Sequence, residues 1–275
     1  MIDETAIRDF RSRVWHYYSR HARIMPWRLP RTDGTFDAYA ILVSELMLQQ
    51  TQVSRVIPKY IDFMARFPTI KDLAAASLAD VLLMWSGLGY NRRAKFLHQA
   101  ARVVVEQHQA VLPASLDHLV KLPGIGPNTA GAIMAYAYNQ PVVFIETNIR
   151  SVIIWYFYSE QSQVTEQQIR MATAAVLDTE RPREWYWALM DFGAQLKAQA
   201  GNHARQAKAY SRQSTFKGSL RQIRGQVLKQ LLLQPRTPAE MTVLIPDERL
   251  AVVLQDLERE ALIERVSGVY QVPAA

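Results

Sequence analysis

The sequence predicts an all-α protein closed by a small winged-helix-like unit. Three observations carry this: apolar residues recur at helical spacing, helix-opening residues precede several of those stretches, and runs with strand character are few. Helical periodicity marks 4–22, 39–50, 53–66, 78–84, 91–108, 115–120, 127–138, 148–158, 165–178 and 182–196. Thr165 with Gln168 three residues on fits a capping box, and Pro127 opens its helix with φ already near the helical value. Past residue 216 the pattern changes. A helix over 218–233 leads to Thr237-Pro-Ala-Glu240, another capping box, and then to a helix over 247–261. In the closing stretch ALIERVSGVYQV, Ser267-Gly268 sits between alternating apolar residues as a tight hairpin would.

Composition narrows the classes of function. A length of 275 residues holds one large or two modest domains. Apolar residues at 49% and charged residues at 21% exclude a disordered or fibrous chain. No apolar run approaches the ~20 residues that span a bilayer. The charged start MIDETAIRDFRSR is unlike an apolar leader, so a cytosolic protein is expected. Cysteine is absent, which excludes disulfides, thiolate metal sites, cysteine-held iron–sulfur clusters and cysteine nucleophiles. His16 and His21 do not share a helix face and the other histidines are scattered, so no metal site is expected.

Lys and Arg number 32 against 25 Asp and Glu, and the net charge of +7 favours a polyanionic partner. The excess is uneven. Between Asp191 and Glu240 no acid occurs, while Lys197, Arg205, Lys208, Arg212, Lys217, Arg221, Arg224 and Lys229 do. Residues 199–215 are polar and basic with little periodicity, fitting either a solvated loop or a phosphate-contacting surface. The helix over 247–261 carries Asp247, Glu248, Asp256, Glu258 and Glu260, which phosphates would repel. A docking or structural role therefore suits the winged unit better than reading a DNA groove with that helix.

Three stretches carry chemistry. In LPGIGPNTA, residues 122–130, an apolar turn joins two helices. Gly124 and Gly126 allow close backbone approach, and the following helix start aims amide N–H groups outward, as a phosphate clamp requires. An ordinary glycine-bearing helical turn would read the same way. In YAILVSELMLQQTQVSRVIP, residues 39–58, Glu45 falls beside an apolar face where a raised pKa would make it a proton donor. A solvated helix glutamate is the alternative. In PVVFIETNIRSV, residues 141–152, an apolar run ends at Glu146 beside a helix start, where a carboxylate stays ionised or merely complements the dipole.

Taken together, these stretches resemble the helix-hairpin-helix DNA glycosylase superfamily, most closely its mismatch adenine glycosylase group and next endonuclease III. The matching pieces are MPWR at 25–28, DAYAILVSELMLQQTQV at 37–53, FPTIKDLA at 67–74 and WSGLGYNRRAKFLHQAA at 85–101. They continue with LPGIGPNTAGAI at 122–133, FIETNIRSV at 144–152 and ALMDFGA at 188–194.

The resemblance implies two helical domains with a cleft between them. A six-helix barrel with the hairpin would span 29–139, and a discontinuous second domain 1–28 and 140–217. The winged-helix-like unit is 218–275. It further implies a partner, double-stranded DNA, whose target nucleotide is extruded because its scissile bond is inaccessible in the stack. Gln50, Leu88 and Tyr90 match positions that wedge into the duplex and contact the opposite strand. Leu122, Gly124, Gly126, Asn128 and Thr129 would hold the DNA backbone, and the hairpin would accommodate a monovalent cation. Glu45 would protonate the departing base. Glu146, in place of the family's aspartate, would stabilise the sugar cation with support from Asn148.

Three departures sharpen this expectation. Glu146 is one methylene longer than aspartate, and placement matters for rate. Asn128 replaces the Schiff-base lysine of endonuclease III, so a monofunctional glycosylase without lyase activity is expected. The cluster cysteines are missing, and the basic segment 197–217 stands in their place. Residues 218–275 look unlike the domain by which the adenine-removing relatives sense oxidised guanine. Adenine is the first expected substrate. Mismatched thymine, uracil or another pyrimidine is the alternative, as is a lesion-binding protein without catalysis. The expected setting is a monomer in the cytoplasm, associated with the nucleoid, with the winged unit available to a protein partner.

Overall fold

The computed structural model describes residues 2–208 and 215–273. Arg212 of the basic stretch lies outside the described residues. Helices α1 (Glu4–His21), α2 (Ala38–Leu48), α3 (Val53–Arg66), α4 (Ile70–Ala75) and α5 (Leu78–Trp85) come first. Helices α6 (Arg92–Gln107), α7 (Leu116–Leu119), α8 (Pro127–Tyr136), α9 (Thr147–Phe157) and α10 (Glu166–Val176) follow. The remainder is α11 (Pro182–Ala200), α12 (Leu220–Leu231), α13 (Pro238–Leu244), α14 (Leu250–Arg259), β1 (Glu264–Val266) and β2 (Val269–Gln271). Among the described residues the protein is all-α apart from this terminal hairpin, as the periodicity predicts.

Differences from expectation are local and have causes. Helix α4 was not anticipated, because six residues are too few for periodicity; Thr69 and Asp72 start it through a reciprocal capping box. Helix α11 runs four residues past 196, as far as the break at Gly201, whose φ is +84°. Helix α14 starts at Leu250 and not at 247, because Asp247 accepts from the Arg249 backbone N–H at 3.0 Å and holds a turn. The stretch after Ala200 is partly packed. A 3₁₀ turn, His203–Gln206, buries Ala204, and Val164 pairs in parallel with Ala207.

By contacts the chain divides into two compact units. The first comprises Met1–Ile41, Ala114–Val120 and Ile125–Arg212. Its core gathers around α9 and α11, where Phe10, Ile149, Val152, Ile153 and Leu189 are buried. Trp185, Tyr186 and Trp187 are buried too, so this aromatic run is packing and not a stacking platform. Asp191 is 1% exposed and accepts from the Arg23 backbone N–H at 2.9 Å. It also takes both Nη atoms of Arg28, at 2.9 and 3.0 Å, which fastens the N-terminal segment to α11.

The second unit comprises Leu42–Pro113, Lys121–Gly124 and Gln213–Ala275. Phe63, Phe67 and Trp85 meet edge-on in its core, with ring centroids 5.0 and 6.1 Å apart. Val227, Leu231, Met241, Leu254, Leu257 and Ile263 are buried in the C-terminal segment. The hairpin pairs Glu264 with Gln271 and Val266 with Val269. Its turn residues Ser267 and Gly268 have φ of +50° and +87°, the two left-handed positions of a type I′ turn. The expected hairpin is therefore present. Within this unit the C-terminal segment is tied to α6: the Lys95 ammonium donates to the Glu260 carbonyl, while the Glu260 carboxylate pairs with Arg224.

Candidate active site and nucleic-acid interface

Glu146 and Asn148 lie where an extended segment, residues 142–146, turns into α9. Glu146 is the N-cap residue of that helix, with φ −101° and ψ 170°. Four neighbours fix the segment. The Tyr186 hydroxyl donates to the Val142 carbonyl at 2.7 Å, and its ring lies 4.1 Å from that of Phe144. Burial pushes the Tyr186 pKa up, so the hydroxyl remains a donor. Gly131 of α8 admits Phe144, because a Cβ there would stand 2.7 Å from the Phe144 Cβ. The Asn128 side-chain oxygen accepts from the Ile145 N–H at 3.3 Å. Gly193 of α11 receives Asn148 itself, since a Cβ there would lie 2.6 Å from the Asn148 carbonyl oxygen. The carboxylate-bearing corner is thus held by packing on two glycines and by two polar contacts.

The glycine turn is built for backbone exposure. Leu122 and Ile125 are buried at 3% and 4% exposure, while Gly124 and Gly126 are exposed. Gly124 has φ +75°, and a Cβ on it would strike the Phe96 Cβ at 2.5 Å, so conformation and space both require glycine. Gly126 is the N-cap of α8, and nothing lies within 4 Å of where its Cβ would be. With Pro127 and Asn128 exposed and Thr129 half-buried, the first turn of α8 offers its amide end to an anion.

Gln50, Leu88 and Tyr90 come together on two loops of the second unit. Gln50 is exposed with φ +54°, and Tyr90 is half-buried with φ +49°. Two left-handed non-glycine residues in one region mark a backbone held against its preference. Leu88 is packed away at 4% exposure. The device that holds both loops is Arg93, 7% exposed at the start of α6. Its Nη1 donates to the carbonyls of Leu46, Met47 and Gln49 at 2.7, 2.9 and 2.6 Å. Its Nη2 donates to Gly89 at 3.0 Å and to the Thr51 hydroxyl at 3.1 Å. One guanidinium therefore closes the end of α2 and ties it to the Gly87–Tyr90 loop. Desolvation lowers its pKa to about 10, which leaves it charged at neutral pH.

Glu45 is the one charged residue of α2, whose Leu42, Val43, Ser44, Leu46 and Met47 are all buried. It is itself half-buried. An acid on so apolar a helix is a local inconsistency of the kind that marks function.

Sequence reasoning missed Arg93, Gly131, Tyr186 and Gly193. Arg93 carries no signal alone, because its carbonyl partners are up to 47 residues away. The glycines gave a weak one: Gly131 and Gly193 interrupt helices at some cost and so ask for a packing reason.

A glycine hairpin feeding an amide-exposing helix, on an all-α scaffold with a clamped carboxylate corner, defines a protein of the HhH-GPD superfamily of base excision DNA repair proteins. The sequence profile of that superfamily matches residues 43–176. The adenine DNA glycosylase of Mycobacterium tuberculosis H37Rv is 34% identical over 288 residues, covering 94% of this chain and 91% of its own length. The chain belongs to this family, the adenine DNA glycosylases. The human adenine DNA glycosylase is 36% identical over 200 residues, 70% of this chain but only 36% of its own length. Among solved structures, a thermostable thymine-DNA glycosylase has a TM-score of 0.60 at 23% identity, covering 69% of this chain and 87% of its own. Endonuclease III in a non-covalent DNA complex has a TM-score of 0.60 at 18% identity, over 72% and 90% of the two chains. Both share the fold.

Among the described residues no helix is long and apolar enough to cross a membrane. With no cysteine in the sequence, a cysteine-ligated iron–sulfur cluster is excluded.

Proposed function

We propose that this chain is a monofunctional DNA glycosylase that releases mismatched adenine from double-stranded DNA in base excision repair. The observation that carries this is 34% identity to an adenine DNA glycosylase over 94% of the chain. Hydrolysis of an N-glycosidic bond needs a proton for the departing base and negative charge near the cationic sugar. Glu45 supplies the proton, directly or through water, and Glu146 supplies the charge, with Asn148 supporting it. The glycine turn Leu122–Gly126, with Asn128 and Thr129, holds the DNA backbone. Gln50 and Tyr90 engage the duplex where the nucleotide has left, and Leu88, packed at 4% exposure in the same loop as Tyr90, joins them when that loop moves. Asn128 has no amine, so no imine forms with the opened sugar and no strand cleavage follows. The free protein is a monomer that works on nucleoid DNA.

The test is single-turnover excision followed by alkaline strand scission. Adenine opposite guanine or oxidised guanine is expected to be released, and borohydride is expected to trap no covalent complex. Release of thymine or uracil alone would transfer the assignment to a pyrimidine mismatch enzyme. No release from any duplex, with binding to an abasic-site analogue intact, would make the chain a lesion-binding protein.

Glu146→Gln is expected to abolish excision and to retain analogue binding. Packing holds the backbone on both sides of Glu146, so shortening its side chain changes the carboxylate's reach more than the position of the corner. Glu146→Asp therefore reads directly whether reach limits the rate, and faster excision is expected.

A further inference from the structure

Inside the first unit, α1, α9 and α11 enclose a pocket of about 330 Å³, and none of the residues assigned to the duplex above lines it. One wall is aromatic. Trp155 of α9 meets Phe192 of α11 edge-on at 5.8 Å, Phe192 lies 5.3 Å from the Tyr17 ring of α1, and Tyr17 lies 4.9 Å from His21. Tyr17, Trp155 and Phe192 are half-buried, so each packs one part of its ring and leaves another open to the pocket.

The charge around these rings is one-sided. Arg13 and Arg20 of α1 line the pocket, and no carboxylate does. Other arginines of this segment are committed elsewhere: Arg11 donates to the Val176 carbonyl at 3.0 Å and Arg23 to Asp191 at 2.7 Å. The Arg13 guanidinium stands 5.8 Å from the Trp155 ring, and among the described residues neither Arg13 nor Arg20 is in an ion pair. Gln195 and Gln199, one turn apart on α11, also line the pocket, and each amide offers both a donor and an acceptor.

Open rings, guanidinium groups without carboxylates and two amides in one small pocket suit a flat ring with a polar edge and an anionic group. A mononucleotide has all three: its base stacks on the rings, its edge meets the amides, and its phosphate meets the arginines. The volume lies at the lower end for small-molecule sites and is too small for a duplex. We propose that this pocket binds a free mononucleotide. The site does not depend on the glycosylase reading, but it lies on the same helices as the carboxylate corner. Trp155 follows Asn148 by two turns on α9, and Phe192 precedes Gly193, which receives Asn148. A bound nucleotide therefore touches both helices that hold the corner.

The experiment is calorimetric titration of the full chain with AMP, adenosine and inorganic phosphate. AMP is expected to bind at least about tenfold more tightly than either fragment, because ring and phosphate are held together. Arg20 and Gln199 are exposed, so Arg20→Glu and Gln199→Glu are expected to keep the parent's Tm. Each sets a carboxylate against the phosphate and is expected to weaken AMP at least about tenfold. Lys71→Glu makes the same charge change as Arg20→Glu on α4, outside the pocket, and is expected to bind AMP as the parent does. A saturating duplex with an abasic-site analogue is expected to leave the affinity for AMP unchanged. The proposal is overturned if AMP binds no more tightly than its fragments, or if both pocket variants keep the parent's affinity. Either result leaves the glycosylase reading standing. Displacement of AMP by the duplex also overturns it, because the pocket then belongs to the DNA surface.

Discussion

The corner at Val142–Asn148 and the paired loops at Gln49–Thr51 and Gly87–Tyr90 are both held in place, by opposite means. At the corner, shape does the holding: Phe144 lies on Gly131, Asn148 lies on Gly193, and the Tyr186 ring covers the segment. At the loops, cations do it: Arg93 collects carbonyls from both sides, Arg55 donates to the Gly87 carbonyl and Arg221 to the Tyr90 hydroxyl, and the two left-handed residues persist around them. A position fixed by packing tolerates no added atom. A position fixed mainly by a buried cation tolerates crowding but not loss of that cation. The lesson is that a carboxylate that must not move suits a packed corner, whereas loops that meet a changing duplex suit a hub of hydrogen bonds.

The largest effect tests the hub. Arg93→Ala leaves several buried carbonyls without a donor and is expected to cost at least about 3 kcal/mol, read as a fall in Tm. Limited proteolysis should then cut within 49–51 or 87–90 before the rest of the chain. Arg93→Lys is expected to fall between, because an ammonium has three donors and no planar fork. Cleavage elsewhere first would break the comparison.

Next comes Gly193→Ala. The new methyl meets a backbone oxygen, which cannot swing aside as a side chain would, so about 1–3 kcal/mol is expected. Excision should fall further than stability because Asn148 is displaced, and an unchanged rate would show that the corner is not set by packing.

Tyr186→Phe removes one donor from a buried carbonyl while keeping the ring, and about 1–2 kcal/mol is expected from thermal denaturation. It separates the polar part of the corner from the steric part. A loss as large as that of Gly193→Ala would blur the distinction.

The smallest effect contrasts two basic residues of α6. Arg93 stays charged, whereas burial lowers the pKa of His98, although its contacts to the Ala76 and Ala74 carbonyls oppose this. The unfolded chain then takes up a proton that the folded one refuses. Stability present above the ordinary histidine value of 6.5 is lost as pH falls through it. Tm should drop between about pH 7 and pH 5, and His98→Gln should flatten that part of the curve.

How much of this was legible in the sequence depends on the range of the forces involved. Capping at Thr165 and Thr237, the turn at Ser267-Gly268 and the start of α8 at Pro127 rest on residues a few positions apart, and they appear as expected. Glu45 and Glu146 were legible as oddities, an acid on an apolar helix and an acid ending an apolar run. What held them was not. The Asn128 contact to Ile145 spans 17 residues, and Arg221 reaches Tyr90 across 131, with no periodicity to announce either. The basic stretch hid its packing differently. Its polar composition gives no sign that Ala204 and Ala207 are buried.

That docking has a practical consequence. The 3₁₀ turn at His203–Gln206 is secured by amide groups: the Gln206 side-chain Nε2 donates to the carbonyls of Ser159 and Gln161 at 3.2 and 3.0 Å, and the Val164 N–H donates to the Gln206 carbonyl at 2.9 Å. Nothing in those bonds can be oxidised, chelated or starved of iron. With no cysteine in the sequence, this segment takes its place through hydrogen bonds that need no cysteine-bound prosthetic group.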